Sequence, residues 1–373
     1  MEYDVIINGD SIEEMKKIKS ESIDLIFADP PYWMRTNGVL KRVEGTEFKG
    51  VYEDWDKFQS NEDYSEFTRK WLIECKRILK KNGSLWVIGG MQCIYTIGGI
   101  MQDLGFWLIN DVIWQKSNPT PNFMGTRLNN SHETLIWATK SEKSKYTFNY
   151  KTAKELNVDT VSDTEYEKGV RKQLGSVWKF PVASGNERVK DDDGNKLHST
   201  QKPESLLYRI IAISSNVDDV VLDPFGGTMT TGAVAKQMGR KYIMIERDPK
   251  YCSHGQKRID QITPLVGVIE NAIFDVKPIR VKMEDMINEA YFKVGEKFYL
   301  KNDDKFATLE QNGKLIIDGK IVDMHTGAAI LSKLKSDRVN GFDYWFVERD
   351  GKRVSISDVR EKYRRHLEKA KKS

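Results

Sequence analysis

The amino-acid sequence predicts an α/β fold, a mostly parallel sheet with helices on both faces, followed by a small α+β domain toward the C-terminal end. Apolar, β-rich runs alternate with helical patterns from Ile23 to Ile262, and such alternation places parallel strands between covering helices. Two of the runs end in turn-forming residues, Pro30-Pro31 and Gly226-Gly227, at the carboxyl ends of strands where open α/β sheets hold ligands. The 373 residues exceed one domain of roughly 100–200 residues, and the alternation stops near Thr263–Pro278.

The elements follow in order. Ile23–Ala28 is a short buried strand that runs into the Pro-Pro break. Asp63–Lys80 reads as an amphipathic helix, because Phe67, Trp71, Leu72, Cys75, Ile78 and Leu79 recur at three- and four-residue spacing. Asn82-Gly83 ends it, and Ser84–Ile88 is the next strand. Further strands are expected over Phe106–Trp114, Glu133–Thr139, Val220–Asp223 and Tyr242–Glu246, and helices over Ser205–Ser214, Thr231–Met238 and Lys250–Ile262. Lys116–Thr200 differs in kind: it is polar, rich in Asn, Lys, Asp and Ser, and too long for an ordinary connection. Met283–Ser373 reads as the α+β module.

Composition excludes several classes. The chain has 9 Trp, 15 Tyr and 15 Phe, which fill a core and argue against disorder. No apolar run reaches the ~18–20 residues of a membrane span, and Met1-Glu2-Tyr3-Asp4 lacks the pattern of a signal peptide. These features imply a cytoplasmic protein with no membrane partner. Cys75, Cys93 and Cys252 are odd in number and far apart, so they supply neither a disulfide framework nor a metal site. The formal charge of +4 hides an asymmetry: from Lys277 onward 22 Lys and Arg face 16 Asp and Glu. A basic tail is a solvated surface unless other features point to a polyanion.

Two motifs carry chemistry. The first is Asp29-Pro30-Pro31-Tyr32. Two prolines fix the backbone and remove two N–H donors, leaving carbonyls beside a carboxylate and an aromatic ring. That set suits an exocyclic amino group on a planar base: Asp29 and the Pro30 carbonyl accept its hydrogens and Tyr32 stacks on the ring. The second is Asp223-Pro224-Phe225-Gly226-Gly227-Thr228-Met229-Thr230-Thr231-Gly232, a strand, a glycine turn and a helix start. Glu246 ends the next strand, where an acidic side chain suits ribose hydroxyls. Neither phosphate-binding glycine motif is present, so the expected ligand is a nucleoside without a pyrophosphate.

At these residues the chain resembles the β-class S-adenosylmethionine-dependent DNA amino-methyltransferases. Asp29–Tyr32 looks like their D-P-P-Y catalytic motif and Asp223–Gly232 like their cofactor motif. Asn8-Gly9-Asp10, Asp54-Trp55-Asp56, Trp114-Gln115-Lys116-Ser117-Asn118-Pro119, Gly125-Thr126-Arg127, His132-Glu133-Thr134, Val177-Trp178 and His198-Ser199-Thr200-Gln201-Lys202-Pro203 follow in the family's order. The pattern is similar to the Hinf-type and cell-cycle-regulated adenine methyltransferases, which modify adenine in GANTC. The resemblance implies a Rossmann-like methyltransferase sheet with circularly permuted motif order. It divides the chain into a catalytic domain (1–265) with an inserted target-recognition region (116–200), a linker (266–278) and a C-terminal DNA-binding or accessory domain (279–373). It also implies a bacterial, nucleoid-associated enzyme of the kind found in restriction-modification.

The resemblance further implies S-adenosyl-L-methionine as cofactor and transfer of its methyl group to N6 of a flipped-out adenine in duplex DNA. Asp29, Pro30, Pro31 and Tyr32 are then the catalytic residues. Asp10, Asp29, His198, Ser199, Thr200, Lys202, Asp223, Pro224, Phe225, Gly226, Gly227, Thr228, Thr230, Glu246 and Arg247 are the cofactor set. Ser199 and Thr200 are also candidate caps of the following helix, and Lys202 is expected at the methionyl carboxylate. For DNA the candidates are Trp33 beside Tyr32, Arg35, Lys41 and Arg42 on the loop after the catalytic motif, and Lys116, Asn118, Asn122, Arg127 and Asn129 in the recognition region. Lys333, Lys335, Arg338, Asn340 and Trp345 form a basic–aromatic cluster in the tail, with a core or dimer role for Trp345 left open. No metal is expected. A homodimer and a cognate restriction endonuclease remain open as partners, as does N4-cytosine as the target. One departure stands out: the family's last motif glycine is Met229 here. A side chain there is expected to crowd the cofactor or the turn, and a catalytically weakened DNA-binding homologue is the reading that follows if it does.

Overall fold

A computed structural model describes the chain except for residues 1, 35–38, 42–46, 50–55, 122–125, 158–163, 166–168, 265–280, 301–302, 334–336 and 373, and the side chains of 39–41, 47–49, 365 and 368–372. The chain forms two compact units, Met1–Asp275 and Val276–Ser373. The linker expected at 266–278 lies outside the described residues, as do Arg35, Arg42, Asn122, Lys335 and the side chain of Lys41.

The first unit is built on eight strands: β1 (Val5–Asn8), β2 (Ile23–Ala28), β5 (Leu79–Gly89), β6 (Trp107–Lys116), β7 (His132–Thr139), β8 (Val177–Phe180), β9 (Val220–Asp223) and β10 (Lys241–Glu246). A separate hairpin joins β3 (Val39–Lys41) to β4 (Glu47–Lys49). The sheet order is β1-β10-β9-β2-β5-β7-β6-β8. The first five strands in that order are parallel to one another. Strand β7 runs antiparallel to both β5 and β6, and β8 is parallel to β6.

Central strands sandwiched between helices are apolar on both faces, and β2 shows how. Ile23 and Ile26 pack with Met15 of α1 (Ser11–Lys17), Trp71 and Leu72 of α2 (Asn61–Ile78) and Ile97 of α3 (Ile94–Asp103). Leu25 and Phe27 face the other way, toward Ile210 of α5 (Glu204–Ser214), Val234 of α6 (Thr230–Gln237) and Ile259 of α7 (Pro249–Asp260). A short helix, α4 (Tyr150–Glu155), adds Ala153 to this second face. The chain leaves β2 toward α2 on one face and leaves β9 toward α6 on the other. The two strands are neighbours, so their carboxyl ends open a crevice of the kind that binds ligands in α/β sheets. Asp29 and Asp223 stand at those two ends.

Several elements depart from the sequence expectation. Strand β5 begins at Leu79 and passes through Asn82-Gly83 instead of starting after it. A Cβ on Gly83 would lie 2.9 Å from the Asp24 carbonyl oxygen, so the glycine permits close approach to β2 at the register shift between Ile23 and Leu25. The polar 116–200 region is woven into the sheet, since it supplies β7 and β8. Elements β1, α1, α3 and β8 were not expected.

The second unit holds a six-stranded antiparallel sheet of β11 (Lys297–Leu300), β12 (Phe306–Leu309), β13 (Leu315–Ile317), β14 (Lys320–Val322), β15 (Trp345–Arg349) and β16 (Lys352–Ser355), in the order β14-β13-β12-β11-β15-β16. Helices α8 (Met283–Asn288), α9 (Met324–Leu331) and α10 (Ile356–Lys372) accompany it. Trp345 is 0% exposed and packs with Phe298, Leu315 and Met324, while its indole N–H donates to the Met324 carbonyl at 2.8 Å. It belongs to this core, which corrects its assignment as a DNA contact. Lys333, Arg338 and Asn340 are exposed. Arg338 lies 3.7 Å from Asp323, and Asn340 donates to Asp343. No described helix is long and apolar enough to cross a membrane.

Candidate active site

A cavity of about 300 Å³ lies over the carboxyl ends of β1, β2, β9 and β10. Its wall contains Asp10, Asp29, Pro30, Pro31, Tyr32, His198, Thr200, Lys202, Asp223, Pro224, Phe225, Gly226, Gly227, Thr228, Thr230, Glu246 and Arg247. Every residue the sequence assigned to the cofactor therefore lines one cavity, with one exception: Ser199 lines a second, adjoining cavity. Gly9, Phe67, Thr231 and Tyr251 line the first as well and were missed.

The turn from β9 into α6 is held by its own side chains. Asp223 accepts from the Phe225 N–H at 2.9 Å and from the Thr231 hydroxyl at 2.6 Å. Burial pushes its carboxyl up to about 7 against those two hydrogen bonds. Gly227 sits at φ +51, a left-handed conformation that glycine adopts without cost, and its N–H donates to Glu246 at 2.7 Å. Glu246 also accepts from the Asp248 N–H at 2.8 Å, and burial raises its carboxyl above the usual range. Asp10 caps α1, accepting from the N–H groups of Ile12 and Glu13 at 3.0 and 3.1 Å. Burial, with the charges of Lys202 and Arg188, lowers His198 to about 4. The neutral ring accepts the Thr200 N–H at Nδ1, which leaves the proton on Nε2. Thr200 is thus tied to His198, and Glu187, not Ser199 or Thr200, accepts the first N–H of α5 from Glu204 at 2.5 Å.

Met229 does not crowd this cavity. It occupies the left-handed region (φ 60, ψ 30) that explains a glycine in relatives, is 0% exposed, and does not line the wall. Its side chain points toward α7, where a Cβ on Gly255 would come 2.1 Å from Met229 Cγ. The glycine in α7 makes the room, which corrects the expected crowding.

The Asp29-Pro30-Pro31-Tyr32 motif is embedded in a charge network. Asp29 Oδ2 pairs with Lys202 Nζ at 2.7 Å, while Asp29 Oδ1 is buried with no hydrogen-bond partner among the described residues. The Lys202 ammonium also lies 3.8 Å from Glu133 and 5.1 Å from the Tyr32 ring centre. Glu133 accepts from the Tyr32 hydroxyl at 2.8 Å and pairs with Lys116 at 2.7 Å. Burial raises Asp29 against the pull of Lys202. Burial opposes ionisation of Lys202 and Glu133 too, yet the opposite charges win: Asp29 and Glu133 raise Lys202, and Lys202 and Lys116 lower Glu133. Lys202 is committed to these carboxylates, so it is not a free partner for a ligand carboxylate. Lys116 is likewise paired and 15% exposed, which removes it as a simple phosphate contact.

The loop itself is clamped from behind. Asp56 accepts from the N–H groups of Trp33 and Met34 at 2.5 and 2.6 Å, and the Tyr64 hydroxyl donates to the Pro31 carbonyl at 2.8 Å. Trp33 is held at φ 52, with its ring stacked on Tyr64 at 5.9 Å and against Phe58. Its ring is a packing element of the loop, not a DNA platform.

Residues 23–257 match the family described as DNA methylase. The chain belongs to the DNA methylase family. It is 48% identical over 358 residues, 96% of each chain, to the Type II methyltransferase M.HinfI of Haemophilus influenzae. It is 38% identical over 258 residues to the Type II methyltransferase M2.LlaDCHI of Lactococcus lactis subsp. cremoris, covering 69% of this chain and 89% of that one. The solved PvuII DNA methyltransferase (cytosine-N4-specific) shares the fold, with a TM-score of 0.51 and 20% identity over 72% of this chain and 90% of that one.

This DNA methylase uses S-adenosylmethionine, and the first cavity fits it. Asp10, Asp223 and Glu246 give the wall acceptors for hydroxyl, amino and cationic groups, Phe67 and Phe225 give it apolar surface, and its one buried lysine is already paired. Such a lining suits a cationic nucleoside without phosphates. The methylase substrate is DNA, and the second cavity lies on the other side of Tyr32 and Lys202. Its wall adds Gly90, Trp114, Lys116, Arg127, Asn129, His132, Glu133 and Arg188. Of the DNA candidates, Arg127 and Asn129 are exposed on this wall. Asn118 instead accepts the Val182 N–H at 2.8 Å. Among the described residues no cluster of His, Cys, Asp or Glu could hold a metal.

Proposed function

We propose that this methylase transfers the methyl group to N6 of adenine in duplex DNA, within GANTC. The observation that carries the reading is the buried, unpartnered Asp29 Oδ1 on the wall of the first cavity, beside Tyr32, which borders both cavities. When bound, S-adenosylmethionine supplies an electrophilic methyl group on a sulfonium sulfur. An adenine amino nitrogen is a poor nucleophile because its lone pair is delocalised into the ring. Asp29 Oδ1 and the Pro30 carbonyl oxygen accept its two hydrogens, which localises the lone pair and aims it. Asp29 then takes the proton that the amine must lose, a task that its raised pKa suits. Tyr32 stacks on the flipped base. The 48% identity to M.HinfI and Asp, not Ser, before Pro-Pro-Tyr favour adenine over cytosine.

Arg127 and Asn129 supply base or backbone contacts in the recognition region, and the C-terminal unit supplies phosphate contacts from Lys333 and Arg338. We also infer the domain limits given above and a cytoplasmic, nucleoid-associated enzyme. Labelled S-adenosylmethionine with duplexes containing or lacking GANTC, followed by digestion to nucleosides, tests the reaction. N6-methyladenine in the GANTC duplex alone is the expected product; N4-methylcytosine overturns the target base. Asp29→Ala is expected to lower transfer at least about 10³-fold with DNA binding retained.

A further inference from the structure

We propose that Glu133 is a positioning residue of the methyl-transfer site: a buried carboxylate that fixes the Tyr32 ring and the Lys202 ammonium and thereby sets the orientation and charge of Asp29. The inference rests on the proposed reaction at Asp29 and Tyr32.

Glu133 sits on β7, between β5 and β6, with Trp114 as its cross-strand partner. Its side chain is 13% exposed and lines the second cavity but not the first. The carboxylate meets three side chains: Lys116 at 2.7 Å, the Tyr32 hydroxyl at 2.8 Å and Lys202 at 3.8 Å. Two of the three line both cavities. With Asp29, the set contains two carboxylates and two ammonium groups, so it is neutral as a whole. Removing Glu133 leaves the buried Lys202 and the partly buried Lys116 against one carboxylate, an imbalance that low-dielectric surroundings penalise. It also removes the acceptor that holds the Tyr32 hydroxyl. Lys202 then bears on Asp29 alone, and the tie that keeps Asp29 Oδ1 turned to its site loosens. The other titratable groups facing this cluster are Cys93, His198, on which the Lys202 charge acts, and, across Asp29, Asp223; none carries the missing negative charge close to Lys202.

The full-length Glu133→Gln variant tests the role by single-turnover transfer to a GANTC duplex at saturating cofactor, as a function of pH. Gln keeps the shape and an acceptor for Tyr32 but removes the charge. Cofactor and DNA affinities are expected to stay within about threefold, and the rate constant to fall about 10–100-fold. The acidic limb of the profile is expected to move to lower pH, because Asp29 faces an uncompensated Lys202. Removing one cation as well, in Glu133→Gln with Lys116→Gln, is expected to return the limb toward its original position, which a merely structural role would not do. Should Glu133→Gln not fold, Lys116→Gln alone is expected to move the limb upward; an unmoved limb overturns the proposal. An active parent enzyme with an unaltered rate and limb in Glu133→Gln refutes this inference alone. A parent enzyme that methylates no GANTC adenine refutes the adenine reading, and the inference with it.

Discussion

Gly255→Ala is a small change with a large expected effect. The added methyl would lie 2.1 Å from Met229 Cγ and 3.0 Å from its Cβ. Met229 cannot retreat, since it is fully buried and its sulfur already sits where a Cβ on Gly226 would come within 2.8 Å. Overpacking of this kind costs about 1–3 kcal/mol, offset by the roughly 1 kcal/mol that alanine gains over glycine inside a helix. A net loss of up to about 2 kcal/mol is expected from these two terms. In a Met229→Gly background the obstructing side chain is gone, and the same substitution should stabilise by about 0.5–1 kcal/mol. The two positions therefore couple by about 1–3 kcal/mol in a double-mutant cycle, measured by urea denaturation. Met229→Gly by itself loses a buried side chain, about 2–5 kcal/mol, and relieves about 1–2 kcal/mol of left-handed backbone cost. Cofactor affinity, followed by calorimetry, should stay within about threefold because Met229 lies outside the cavity wall. Additive stability effects, or a tenfold tighter cofactor in Met229→Gly, would refute the packing argument.

Four further expectations follow. Asp223 has a folded-state pKa of about 7, above its unfolded value near ~3.9. Its contribution to stability is therefore fully present below the unfolded value and lost as pH rises through 7. The stability of the parent relative to Asp223→Asn should fall across that window, and a flat difference would refute the burial. Asp56→Ala removes two charge-assisted bonds to the Trp33 and Met34 N–H groups. It should cost about 2–4 kcal/mol and slow transfer, with both effects absent if the strained Trp33 backbone holds without its clamp. In the second unit, Trp345→Ala should cost about 3–5 kcal/mol and unfold that unit. Lys333→Ala should leave the fold intact and reduce the salt slope of DNA binding by about 1; an unchanged slope removes Lys333 from the interface.

The first unit's strands were legible where apolar runs were bounded by turn residues: Ile23–Ala28 and Val220–Asp223 fall where expected. Helix α3 was not, because Ile94-Tyr95-Thr96-Ile97-Gly98-Gly99 combines β-branched residues and glycines that oppose helix propensity, and burial on Ile97 and Met101 overrides it. The lining of the first cavity was legible because its residues come in contiguous motifs. The network behind the catalytic motif was not: Asp29, Glu133 and Lys202 lie on separate elements far apart in sequence, and pairing of that kind leaves no local period. The motif His132-Glu133-Thr134 hinted that Glu133 mattered without saying to what. The same blindness left Trp345 undecided between DNA and core, since an aromatic residue among basic ones looks alike whether it points to solvent or to a core.

Tyr32, Met34, Thr200, Gln201 and Lys202 border both cavities. Shared walls of this kind make the ligands of the two cavities thermodynamic partners. Whatever ordering of Tyr32 and Lys202 the cofactor induces is ordering that an extrahelical base need not impose, so each ligand tightens the other by the same factor. A cofactor analogue that cannot react should therefore strengthen DNA binding, and cognate DNA should strengthen binding of that analogue to an equal degree. Order of addition would then govern only the kinetics of assembly, never the final affinity of the ternary complex.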